Sequence, residues 1–253
     1  MRAPRQHRVT EEADGRPAGW TRDKPDPPAL TPGMSVEARQ RKRAPLADRK
    51  ARDFLREADP VIGGLIDARP EFRPRAWMDE LPPLDAFATL IFQVAGQQLS
   101  VASTRAIISH LQERFGGHMP SPAELLAADP QVLRDSGFSV RKGQTLRALA
   151  ERFVDGGLSD EVLSRMTDEE VEATLTEVPG IGPWTARGFL LIALDRPDVF
   201  LSGDLALRRT IQRAYGFDHL PTEEELAQLS DRWRPYRSLA VSYLFASEYD
   251  GQS

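Results

Sequence analysis

The sequence predicts an all-α protein, and three observations carry that prediction. Apolar residues recur at three- and four-residue spacing along most of the chain beyond Leu46. No run alternates polar and apolar residues long enough to make a half-buried strand. Proline, glycine, or a Ser, Thr or Asp able to cap a helix separates the periodic segments at short intervals.

In order, residues 1–45 hold seven prolines, mixed charge and few large apolar residues, the composition of a disordered tail ending in the basic cluster Arg39 to Arg43. Residues 46–253 form the core domain. The spacing predicts helices over Ala47 to Ala58 and Val61 to Ala68, stopped before Asp59-Pro60 and Arg69-Pro70. Phe72 to Pro83 reads as a loop carrying Trp77, and Leu84 to Gly96 as a strongly apolar helix. The turn Gly96 to Ser100 leads into Val101 to Phe115. Short helices follow over Pro122 to Ala127, capped by Ser121, and over Asp129 to Ser136. Gly137 to Ser139 breaks the pattern before Val140 to Asp155, and Glu161 to Arg165 and Asp168 to Thr176 come next. After a glycine turn, helices are predicted over Trp184 to Leu194, Leu205 to Tyr215, Thr222 to Leu229 and Leu239 to Tyr249.

Composition narrows the chemistry. The chain has no cysteine, which excludes disulfides, thiol nucleophiles and cysteine-ligated iron–sulfur clusters. Its four histidines are scattered and suggest no zinc site. The uncharged run Ala86 to Thr104 is interrupted by Gly96, Gln97, Gln98 and Ser100, which suits a buried helix and turn better than a membrane span. A cytoplasmic protein without a membrane partner is the expectation. The net charge of −5 divides into +5 over residues 1–50 and −10 over the remainder. A nucleic-acid partner would therefore have to be met by local patches and neutral amides rather than by bulk charge. Candidate patches are Arg141/Lys142/Arg147/Arg152, Arg208/Arg209/Arg213 and Arg232/Arg234/Arg237, each of which reads equally well as a solvated helix face.

The most informative stretch is Val178 to Arg209 (VPGIGPWTARGFLLIALDRPDVFLSGDLALRR). Pro179, Gly180, Gly182 and Pro183 form a turn between two helical patterns. Glycines bring backbone amides close to a bulky anion, and unpaired N–H groups opening the second helix favour a phosphate. Proline has no N–H, so Ile181, Gly182 and Trp184 would supply the amides. The same turn could equally be a plain αα-corner. Asp204 lies twenty residues beyond Trp184 at the start of the next helix, where an aspartate is also a common cap.

The hairpin PGIGPWTA followed by DVFLSGDLALRR resembles the HhH-GPD superfamily of DNA glycosylases, and within it the DNA-3-methyladenine glycosylase II type. The resemblance covers Leu46 to Ala246 and implies two helical subdomains flanking a cleft, in the short form without an N-terminal β domain. It implies a backbone grip at Pro179, Gly180, Ile181, Gly182, Trp184 and Thr185. It also implies an intercalating plug in the turn Gln97, Gln98, Leu99 and an aromatic base pocket drawn from Trp184, Tyr236, Phe245 and Trp77. The catalytic carboxylate would be Asp204, set to stabilise an oxocarbenium-like sugar or to orient and deprotonate water. No cofactor is expected, apart from a sodium or potassium ion on the hairpin carbonyls of Val178 and Ile181. Strand-cutting relatives carry a lysine where this chain has Trp184, and tryptophan forms no Schiff base, so the implied enzyme is monofunctional. Its partner would be damaged double-stranded DNA, bound by a monomer. Two other readings remain: a non-catalytic DNA-binding module using the same hairpin, and a glycosylase for a different lesion class.

Overall fold

The structure is a computed structural model that describes residues 49–74 and 84–250. The predicted tail and Trp77 lie outside the described residues. Among these, thirteen α-helices and no strand occur, as the periodicity predicts. They are α1 (Arg49–Ala58), α2 (Pro60–Asp67), α3 (Ala86–Gly96), α4 (Val101–Arg114), α5 (Pro122–Ala127), α6 (Pro130–Asp135) and α7 (Val140–Val154). The remainder are α8 (Asp160–Arg165), α9 (Asp168–Thr176), α10 (Pro183–Ile192), α11 (Leu205–Tyr215), α12 (Glu223–Asp231) and α13 (Arg237–Asp250). Most starts are fixed by a side chain that accepts an otherwise unpaired amide, such as Asp85, Ser100, Ser139 and Asp204. Thr167 with Glu170, and Thr222 with Glu225, form reciprocal capping boxes.

The helices sort into two groups. In one, α1 packs on α2, and α13 packs on both α2 and α11. In the other, α7 receives α3, α5 and α6, while α4 lies against α3 and α6. Helix α10 joins the second group through α3 and α9. Helices α3 and α10 pack closely at Gly188, where a Cβ would come within 2.8 Å of the buried Gln93 Oε1. Phe87, Leu90, Ile91 and Val94 of α3 are buried against this neighbourhood, with Phe189 and Leu190 of α10.

A buried carboxylate ties the first group together. Asp59 caps α2 through Oδ1, which accepts from Val61 and Ile62 N–H. Its Oδ2 accepts from the Tyr215 hydroxyl and from Trp233 Nε1, each at 2.8 Å. A buried charge is tolerable when hydrogen bonds replace its water, and here four donors do so. Helix α13 starts two residues before the Leu239 expected from periodicity. The reason is the Arg196 to Val199 loop: Ser238 Oγ donates to Arg196 O and accepts from Val199 N–H, fixing the helix start against that loop.

Candidate active site

A cleft of about 900 Å³ opens between the two groups. One wall is the α3–α4 turn (Gly96 to Leu99) with Ser139, Arg141, Lys142 and Thr145 at the start of α7. The opposite wall is Gly203, Asp204, Leu205, Ala206 and Arg209 at the start of α11, and Gly180, Trp184 and Thr185 of the hairpin complete it. Three segments far apart in sequence therefore face one another.

The hairpin owes its shape to Gly180, whose φ of +94° is costly for any residue with a Cβ. A Cβ there would also lie 2.1 Å from Thr145 Oγ1, the atom that donates to Pro179 O at 2.8 Å. Ile181 N–H is spent on Val178 O inside the turn, so it is not one of the available amides. Gly182 caps α10 without a side chain, and Pro183 occupies the first turn without an N–H. No side chain caps the start of α10 by a hydrogen bond, and orphan amides and the helix dipole there attract an anion. Thr185 is buried, and its Oγ1 accepts from Gln97 Nε2 at 3.0 Å. It braces the hairpin from inside instead of reaching outward to a phosphate.

Asp204 is both a helix cap and a cleft residue. Its Oδ1 accepts from Leu207 N–H at 2.8 Å, and its Oδ2 accepts from Trp184 Nε1 at 2.8 Å. Each oxygen accepts one of these bonds and keeps further acceptor capacity. The tryptophan at the hairpin thus aims the carboxylate on α11, a contact that a separation of twenty residues in sequence does not announce. Of the aromatic candidates, Trp184 lines the cleft; Tyr236 and Phe245 do not. Tyr236 stands edge-on to Phe54 of α1 with ring centroids 5.4 Å apart, and Phe245 packs against the core.

The plug residues separate. Gln97 is partly buried and turned back onto the hairpin, whereas Gln98 and Leu99 are exposed, and Gln98 sits at φ +58°. The basic patches also separate. Arg141, Lys142 and Arg209 line the cleft. Arg147 donates to the carbonyls of Leu125, Leu126 and Ala128, and Arg208 to Pro221 O. Arg152 pairs with Glu177, Arg213 with Glu248, and Arg234 and Arg237 grip Asp198. Arg232 lies on the Asp59 side. The cleft lining is consequently net positive, with Asp204 as its acidic member, although the chain as a whole is acidic.

Residues 91–235 match the family described as HhH-GPD superfamily base excision DNA repair protein, which is more than half of the chain. The chain belongs to the HhH-GPD superfamily. Among its relatives, DNA-3-methyladenine glycosylase 1 of Schizosaccharomyces pombe is 28% identical over 214 residues, covering 84% of this chain and 92% of that protein. DNA-3-methyladenine glycosylase 2 of Escherichia coli is 30% identical over 198 residues, covering 74% of this chain and 64% of that one. The solved S. pombe 3-methyladenine DNA glycosylase in complex with abasic DNA superposes with a TM-score of 0.73 at 29% identity, over 79% of this chain and 97% of that one. Among the described residues no group of three or more His, Cys, Asp or Glu side chains could hold a metal ion, and no helix is long and apolar enough to cross a membrane.

Proposed function

We propose that this HhH-GPD protein is a base-excision-repair DNA glycosylase that removes alkylated bases of the 3-methyladenine and 7-methylguanine type by hydrolysis. The observation that carries the reading is the Asp204 carboxylate, held by Trp184 and Leu207 in a basic-walled cleft beside the glycine hairpin. Relatives and a structural neighbour bearing 3-methyladenine glycosylase names support the substrate class. The target nucleotide leaves the stack before its glycosidic bond can be reached. The amides opening α10 hold a backbone phosphate, with Arg141 and Arg209 nearby, and Gln98 fills the vacated space with Leu99 beside it. Scission of the C1′–N bond sends the electron pair out with the cationic base, and Asp204 stabilises the positive sugar left behind. Water then adds to C1′, losing a proton, and an abasic site remains. Both Asp204 oxygens already accept a hydrogen bond, which suits electrostatic stabilisation and water orientation better than proton abstraction.

A hairpin monovalent cation fits the residues present. Val178 O accepts from Ile181 N–H and keeps a second lone pair, and the carbonyl of Ile181 would be its partner ligand. The chain would act as a monomer on damaged duplex DNA in the cytoplasm. The test is base release from duplexes carrying 3-methyladenine, 7-methylguanine, hypoxanthine, 1-methyladenine or 3-methylcytosine. Wild type releases the first two; Asp204→Asn releases neither while binding an abasic-site analogue normally. Full activity of Asp204→Asn would refute the mechanism, and binding without release of any base by wild type would leave a DNA-binding module.

A further inference from the structure

We infer that Gln97 is a positioning residue: it latches the intercalating turn to the phosphate-binding hairpin, so that the two meet DNA as one rigid unit. This rests on the function proposed above. The geometry is a closed triangle of three elements. Helix α7 supplies one corner, where Lys142 Nζ donates to Ala95 O at 2.8 Å and to Gln97 O at 2.9 Å, holding the C-terminal end of α3. Three residues on, along the same helix face, Thr145 Oγ1 donates to Pro179 O of the hairpin. Gln97 closes the third side, its Nε2 donating to Gly180 O at 3.1 Å and to Thr185 Oγ1 at 3.0 Å. Both hydrogens of the amide are thereby used.

Three further observations agree. Gln98 holds a left-handed backbone, which costs a side-chain-bearing residue about 1–3 kcal/mol and persists only where the surroundings enforce it. They enforce it from both sides, because Gln97 is pinned twice and Leu99 N–H bonds Gly96 O at 3.1 Å. Lys142 is partly desolvated, which lowers its pKa, and its ammonium faces the negative end of the α3 dipole. With all three sides closed, the distance from wedge to phosphate clamp is set before DNA arrives. Insertion then carries no ordering cost at the turn. Without Gln97 the turn would keep Lys142 alone.

The experiment uses the full chain and Gln97→Leu, which preserves size and removes both donors. Hairpin grip is read as affinity for undamaged duplex. Wedge insertion is read as the rate of fluorescence change of a 2-aminopurine beside a tetrahydrofuran abasic analogue. The expected result is undamaged-duplex affinity within about twofold of wild type, with insertion and the abasic-to-undamaged affinity ratio each down roughly tenfold, the size expected for two neutral hydrogen bonds. Gln97→Glu cannot donate to Gly180 O, and its contact with Thr185 must reverse, the carboxylate accepting from the Thr185 hydroxyl, so one of the two bonds is recoverable and its ratio falls between the two. An unchanged ratio and rate in Gln97→Leu overturns the latch, as does a parallel loss of both affinities and of the thermal midpoint. A wild-type chain that gives no fluorescence change overturns the wedge and the latch together.

Discussion

Replacing Trp184 with phenylalanine isolates the aiming of the catalytic carboxylate. The change keeps an aromatic ring at the hairpin and deletes one N–H, the donor that meets Asp204 Oδ2 at 2.8 Å. A hydrogen bond to a charged acceptor is worth about 1.5–3 kcal/mol, which bounds the loss at roughly 10- to 150-fold in rate. The lower end is expected, because Oδ1 stays anchored on Leu207 N–H and the carboxylate can only swing about its last torsion. Single-turnover release of 3-methyladenine at saturating enzyme should therefore slow about tenfold, with affinity for an abasic-analogue duplex within about twofold. That split marks an interaction used in the transition state. An unchanged rate, or binding that weakens as much as the rate falls, would refute the reasoning and return Trp184 to a packing role.

Gly180→Ala places a Cβ against Thr145 Oγ1 in a left-handed backbone, so urea denaturation should show a loss on the order of 2–4 kcal/mol. Adding Thr145→Ala should recover the clash but not the backbone cost, giving a non-additive pair. Arg209→Ala should lower the slope of log affinity against log salt by about one. Arg208→Ala should leave that slope alone and reduce stability instead, because its guanidinium serves Pro221 O. Burial and the adjacent Asp59 raise the Tyr215 pKa, so the folded chain keeps a phenol proton that the unfolded chain loses near pH 10. Stability from this group is complete below about pH 10 and declines as pH rises past it; equilibrium unfolding of Tyr215→Phe should show a shallower alkaline decline than wild type, the remainder coming from buried Tyr243.

Helix boundaries, caps and the glycine hairpin were legible because each depends on residues within four or five positions. Asp204 was legible as a helix start for the same reason. Its bond to Trp184 was not, because the loop between α10 and α11 sets their separation and local pattern does not encode it. Asp59 read only as a helix break before proline, since two of its donors lie 156 and 174 residues away. Gln97 and Gln98 looked interchangeable in a polar turn, and only the hairpin's position tells the inward amide from the outward one. The arginine clusters misled in the same manner. Charge is visible in sequence, whereas a guanidinium occupied by carbonyls, as at Arg147, is visible only once α5 and α7 have packed.

The mooring of α11 makes that helix a lever. At one end Asp204 holds its carboxylate in the cleft; at the other, about 16 Å along the axis, Tyr215 is fastened to Asp59. Substitutions around the α1–α2 junction, remote from any substrate, would tilt the shaft and swing its working tip. Damage to repair capacity in such variants would then appear as slowed chemistry on a chain that still folds and still holds its DNA.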